Sequence, residues 1–312
     1  MTFEIESFTA KDGVTLRCGI NRAENARDFI LILQGRGEYI ERYQETADDL
    51  AKRGFGCVTF DFRGHGGSTR ETSDRLMGYV SDLADYVFDT HEVISWAKNT
   101  HDIECKTLLT HSTGGLVGMG MMLEQPGLCD TAIMIAPFFG LGGPEWVAIA
   151  AQFLSGGLCR YGFDKQYLPG QSTLSPLVDF DPDNILTSDP ERYMRNVEIL
   201  KSHPDLVVGG VSAGWLDACF KAQAALDETL EAAENSLPPL PPISMVLAGN
   251  DQVVSNRVTE DLFGKYPNIS ITEIPEARHE ILQERDIYRD QFWQVFDRHM
   301  AQFGPGQYSA ET

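Results

Sequence analysis

A chain of 312 residues with 42% apolar content is long enough for one large domain, or a domain carrying an insertion, around a substantial core. Its formal charge of -21 argues against nucleic acid and anionic membrane surfaces, which call for basic patches. No uninterrupted apolar run is long enough to span a bilayer, so no stable membrane insertion is expected. Met1 to Gly13 lacks the basic start and apolar centre of a signal peptide. The six cysteines are dispersed without C-x-x-C spacing and read as small core residues of a reduced compartment. A cytoplasmic chain with no metal site and no cofactor is therefore expected.

In chain order, Glu6 to Asn21 reads as a hairpin turning at Lys11-Asp12-Gly13. The strand Phe29 to Leu33 runs into Gln34-Gly35-Arg36-Gly37-Glu38, where flanking glycines free the backbone N–H of Arg36 to face a neighbouring oxygen. A helix is expected over Tyr43 to Lys52, then a strand over Gly56 to Phe60. The loop Asp61 to Ser68 that follows reads as a tight turn with Ser68 capping a helix, and His65 is given no catalytic role. Gly35-Arg36-Gly37 with Asp61 also invites a dinucleotide-binding reading, but Ile40 stands where the third glycine of G-x-G-x-x-G belongs.

After the helix Asp82 to Lys98, the apolar run Thr107 to Leu109 leads into Thr110-His111-Ser112-Thr113-Gly114-Gly115 and the apolar stretch Leu116 to Met122. A serine between a buried strand and a buried helix sits on a tight turn with its hydroxyl pushed outward, the geometry of a nucleophile elbow. Helix capping alone would not need the costly Gly114 and Gly115. Met119, Met121 and Met122 behind it read as core.

Acyl transfer by a serine needs a base and a carboxylate that holds the base in its correct tautomer. The strand Thr131 to Ala136 runs into Pro137-Phe138-Phe139 and offers no carboxylate. Asp251, closing the apolar run from Ile243, is the candidate acid. His279 lies in the loop after the strand Ile269 to Ile274 and is the candidate base, because catalytic groups favour loops at strand ends. His299, near the end of a helix over Gln291 to Phe303, reads as a surface residue compensating the helix dipole. The backbone N–H groups of Thr113 and Arg36 are the expected oxyanion donors.

Alternating strands and helices imply an α/β fold, a mostly parallel sheet with helices on both faces. The alternation stops over residues 139–236, read as a mainly helical cap inserted between a first core part, 1–138, and a second, 237–303, with 304–312 a flexible tail. Pro238-Pro239-Leu240-Pro241-Pro242 is a stiff connector back to the sheet. Trp146, Phe153 and Trp215 are candidate substrate-binding residues, although with Leu154 and Phe220 their helical spacing fits the cap's own core better. The acidic run Asp227, Glu228, Glu231, Glu234 reads as a solvated helix face.

Together these stretches resemble the monoacylglycerol lipase and lysophospholipase L2 branch of the α/β-hydrolases, a group linked to serine aminopeptidases. Gln34 to Glu38 with Arg42-Tyr43 resembles H-G-x-G-E followed by R-Y, Asp61 to Ser68 resembles D-x-R-G-H-G-x-S, and His111 to Gly115 resembles H-S-x-G-G. Asp251 with Val253-Val254, and His279-Glu280 with Glu284, extend the likeness. Gln34 and Thr110 depart from the family's histidine and glycine. The resemblance implies a serine esterase acting on a small ester or lysolipid, with substrate choice residing in the cap. Two rivals stay open: an aminopeptidase, which would need an acidic patch for the substrate's amino terminus, and a binding protein without chemistry. Oligomeric state is not legible.

Overall fold

The computed structural model describes residues 2–24, 26, 28–171, 177–232 and 240–305. Pro238-Pro239 of the expected connector, Glu234 of the acidic run and residues 306–312 of the expected tail lie outside the described residues.

The hairpin forms from β1 (Glu4–Thr9) and β2 (Thr15–Asn21), paired antiparallel around Gly13, whose φ of 90° suits glycine. Next come β3 (Asp28–Leu33), α1 (Gln44–Lys52), β4 (Phe55–Phe60), α2 (Ala84–His101), β5 (Cys105–His111), α3 (Thr113–Glu124) and β6 (Thr131–Ile135). The chain then leaves the sheet for α4 (Glu145–Arg160), α5 (Pro190–Ser202) and α6 (Ala213–Ala232), and closes with β7 (Ile243–Ala248), α7 (Asn256–Phe263), β8 (Ile269–Ile274) and α8 (Asp286–Phe303). The strand order is β1-β2-β4-β3-β5-β6-β7-β8, parallel from β4 to β8. This is the α/β fold expected. The central strands read as continuous apolar runs because helices cover both faces, and β5, β6 and β7 are buried almost throughout.

The segment between β6 and β7 divides by burial. Trp215, Leu216, Cys219, Phe220, Leu226 and Leu230 of α6 join the main hydrophobic core, so α6 serves as the crossover helix of the sheet. α5 is held at its foot by charge: Glu45 of α1 receives Arg192 at 2.7 Å, Arg195 at 2.6 Å and, from α8, Arg289 at 2.7 Å. α4 is the exception, since of its sixteen residues only Ser155 is buried.

His299 corrects the surface reading given above. Its ring is buried and contacts Ser244 Oγ at 2.8 Å and the Thr131 hydroxyl, at the opening ends of β7 and β6. It lies seven residues after Phe292 and three after Phe296, on the inward face of α8, and burial pushes its pKa down to about 4. Ser68 caps no helix either; its hydroxyl donates to Asp61 O at 2.5 Å, and its oxygen accepts Arg17 N–H at 2.9 Å, closing the loop onto β2. His65 is buried inside that loop and pushed down to about 3 by burial and by Arg36.

The six cysteines are free, five of them buried. Among the described residues no helix is long and apolar enough to cross a membrane, and no cluster of metal-ligating side chains occurs.

Candidate active site

The parallel strands end along one edge of the sheet, and open α/β sheets place ligands there, beyond the carboxyl ends of their strands. β5 ends at His111, and the chain turns at Ser112 with φ 52° and ψ -117° before α3 begins. A non-glycine residue in that region stores about 1–3 kcal/mol, a strain typical of residues held for function. The turn is possible because Gly114 and Gly115, the second and third residues after the serine, lack side chains. A Cβ on Gly114 would stand 2.3 Å from Leu33 O, and one on Gly115 would stand 2.6 Å from Pro137 Cβ. Thr110, where the family pattern has glycine, is accommodated from the same helix: a Cβ on Gly118 would come within 3.2 Å of its methyl group.

Ser112 Oγ lies 3.1 Å from His279 Nε2, and His279 Nδ1 lies 2.8 Å from Asp251 Oδ2. Ser112, Asp251 and His279 follow the ends of β5, β7 and β8, 139 and 28 residues apart in chain order and joined only by the sheet. Asp251 is itself positioned by the N–H groups of Val253 at 2.8 Å and Val254 at 3.0 Å, donated to its other oxygen. Burial pushes this carboxyl up, but the hydrogen bond and charge of His279 and the two amides outweigh it and hold the pKa below the ordinary value.

Ser112, Thr113 and Arg36 line one cavity of about 650 Å³. Among the described residues neither the Thr113 nor the Arg36 amide donates to another protein group. Gly35 brings the Arg36 loop against the elbow, since a Cβ on it would stand 2.9 Å from His111 Nδ1. Gln34, the other departure from the family pattern, points away into the sheet, where its amide donates to Thr59 Oγ1 at 3.1 Å.

A second layer of charge backs the site, and sequence reasoning gave it no role. Glu38 Oε1 accepts from His111 Nδ1 at 3.0 Å, Tyr43 donates to Glu38 Oε2 at 2.6 Å, and Arg42 bridges Glu38 at 3.3 Å and Glu280. His111 Nε2 faces the backbone O of His279 at 3.2 Å. Both partners of this imidazole are acceptors, so it holds a proton on each nitrogen, and Glu38 raises its pKa against the opposing effect of burial. Burial disfavours the Glu38 anion too, but His111, Arg42 and Tyr43 hold it well below the carboxylate range. Glu38 and Arg42 are four residues apart, a spacing readable in the sequence; Glu280 and His111 join them only in the fold.

The remaining walls are mostly apolar, with Leu141, Val178, Leu186, Val208 and Leu216 among them, and Gln171, Tyr193 and Asn196 add polar groups. Trp215 belongs to this wall, buried and stacked on Phe138 at 6.1 Å. Trp146 and Phe153 do not. They stand on the outer face of α4, 70% and 78% exposed, and line neither the cavity nor a core; Leu154 is exposed beside them. Helical spacing placed them near one another correctly, but no neighbouring element covers that face.

A profile of the serine aminopeptidase S33 family of hydrolases matches residues 24–286. Lysophospholipase L2 of Escherichia coli strain K12 is 28% identical over 290 residues, 90% of this chain and 83% of its own. Among solved structures, a soluble variant of monoglyceride lipase from Saccharomyces cerevisiae superposes with a TM-score of 0.72 at 19% identity, covering 96% of this chain and 94% of that one. A carboxyl esterase from Bacillus coagulans gives 0.74 at 17% identity, covering 97% and 99%. The strained serine turn, the parallel sheet beneath it and the length of the match lead to one assignment: the chain is an α/β-hydrolase belonging to the serine aminopeptidase S33 family.

Proposed function

We propose that this hydrolase cleaves a carboxylic ester of a fatty acyl group through an acyl-enzyme, with a lysophospholipid or monoacylglycerol as substrate class. The observation that carries the reading is the unbroken hydrogen-bonded chain Ser112–His279–Asp251, at 3.1 and 2.8 Å, opening into a largely apolar cavity. Ser112 Oγ attacks the ester carbonyl while His279 Nε2 takes its proton. Asp251 keeps the other proton on Nδ1 and stabilises the imidazolium. The negative carbonyl oxygen is received by the amides of Thr113 and Arg36, each such donor worth about 3 kcal/mol in the transition state. His279 returns its proton to the leaving alcohol, and water then releases the fatty acid by the same steps in reverse order of roles. The paired Glu38, His111, Arg42 and Glu280 hold the His279 loop against the elbow and carry no net charge.

The names of the relatives support a lipid ester, and the apolar walls supply room for an acyl chain. An aminopeptidase would need a free carboxylate to receive the substrate's ammonium group. The carboxylates of the cavity wall, Glu38 and Glu280, are both taken by Arg42, which favours the ester. Unpaired thiols fit a cytoplasmic location. Hydrolysis of esters graded by acyl length and head group, beside an aminoacyl arylamide and with Ser112→Ala as blank, tests the reading. Faster turnover of the arylamide than of every ester would overturn it.

A further inference from the structure

Arg36 differs from every other charged residue of the cavity wall. Glu38, Arg42 and Glu280 are paired with one another and with His111, whereas the Arg36 guanidinium has no carboxylate partner among the described residues. Its Nη2 donates to the backbone oxygens of Gly209 at 2.8 Å and Gly210 at 2.5 Å, and the Trp215 ring lies 5.2 Å from its centre. Its Nε is screened from solvent and has no acceptor. Arg70 also lacks a carboxylate and its Nε is likewise buried without an acceptor, but the oxygens of Gly64, Gly66, Asp205 and Val207 take up both of its Nη groups and it stands outside the cavity. Burial pushes the Arg36 pKa down to about 10, which leaves it charged at neutral pH.

A half-buried cation without a counter-ion is costly, and carbonyl dipoles and an aromatic face offset only part of that cost. This chain has 46 acidic residues, and none of those described forms an ion pair with Arg36. A second wall residue, Asn196, is oriented by its amide donating to Gln283 Oε1 at 3.1 Å, which leaves its buried Oδ1 an acceptor without a donor. The cavity therefore offers an unpaired cation and an unpaired acceptor. A fatty acyl chain can satisfy neither, so the groups that do must sit on the alcohol part of the ester. A glycerol hydroxyl suits Asn196, and an anion with several oxygens in a fork suits a guanidinium.

We propose that the Arg36 side chain recognises a phosphate ester on the substrate's glycerol, making the physiological substrate a lysophospholipid in preference to a neutral monoacylglycerol. This rests on the ester-hydrolase reading above and deepens it. The test is Arg36→Met, which keeps length and backbone amide while removing the charge, assayed on lysophosphatidylglycerol and on a monoacylglycerol of the same acyl chain. The expected fall in kcat/KM is at least tenfold larger on the phosphate ester and appears mainly in KM. Equal falls on both substrates would assign Arg36 a structural part only and overturn the proposal.

Ether-linked analogues separate this from the reaction itself. In Ser112→Ala protein, 1-O-alkylglycerol 3-phosphate is expected to bind at least tenfold tighter than 1-O-alkylglycerol, an advantage that Arg36→Met abolishes. Equal binding of the two ethers sinks the phosphate subsite even if esters are hydrolysed. Preference for the phosphate with no ester hydrolysis retains the subsite and removes the catalytic reading. Glycerol 3-phosphate binding as tightly as the alkylated phosphate would overturn the lipid assignment.

Discussion

Two buried histidines each touch a serine hydroxyl at opposite ends of the same sheet, and only one of them has a carboxylate and an open cavity beside it. At the carboxyl ends of the strands His279 meets Ser112 at 3.1 Å and Asp251 at 2.8 Å, and a cavity opens above them. At the opening ends of β6 and β7 His299, on the inward face of α8, meets Ser244 at 2.8 Å and Thr131, with no carboxylate hydrogen-bonded to it among the described residues. The serine and histidine are common to both places. What differs is the acid that stabilises an imidazolium, the strained backbone that exposes the hydroxyl, and access for a substrate. Without the acid, burial holds His299 neutral down to a pKa of about 4.

The sharpest way to break this comparison is to remove each hydroxyl in turn. Ser112→Ala is expected to lower kcat for ester hydrolysis by about 10⁵–10⁶, judged from triads of this kind, whereas Ser244→Ala keeps it within about twofold. A collapse of fatty-acid release in the Ser244 variant would mean that both pairs serve catalysis. Next in size, Asp251→Asn is expected to cost about 10⁴ in kcat by permitting the wrong tautomer of His279. Retained near-ultraviolet circular dichroism would show that the loss is chemical. The Asp251 pKa is lowered in the fold, so the wild-type carboxylate contributes stability above its ordinary value, and this contribution fades as acid protonates it.

Two smaller effects concern stability. Glu38→Gln strips the countercharge from buried His111 and Arg42, and breaking such a cluster costs about 3 kcal/mol. A shift in the urea midpoint at unchanged slope would report it; no shift would mean that the cluster contributes nothing net. Last, His299 is pushed from 6.5 to about 4, so the unfolded chain takes up a proton between those values that the fold refuses. Stability contributed by the neutral ring is complete above pH 6.5 and drains away toward pH 4, by at most about 3 kcal/mol. In His299→Gln the slope of unfolding free energy over that window should flatten. An unchanged slope would place the acid sensitivity elsewhere.

The surroundings of the two histidines differ in how far they can be read from the chain, and α8 shows why His299 is not a surface residue. His279 was legible because a loop after an apolar strand is a local pattern. His299 shares its helical face with Phe292 and Phe296, a signal present in the spacing, but proximity to the helix end was weighed above it. α4 failed in another way. Periodicity states which side chains share a face, and Trp146 and Phe153 were grouped on it, but whether anything packs against that face depends on elements distant in sequence.

Local patterns in the chain alone were enough for the strand and helix order, the serine turn with its two glycines, and the strand-end positions of Asp251 and His279, because each is written in neighbouring residues whose burial and backbone needs are local. Tertiary structure decided the rest: that Glu280 and His111 close a neutral cluster with Glu38 and Arg42, that Arg36 is left without a countercharge, and that α6 belongs to the core while α4 does not. Charge pairing and burial are relations between residues far apart along the chain, and they exist only once the sheet has brought those residues together.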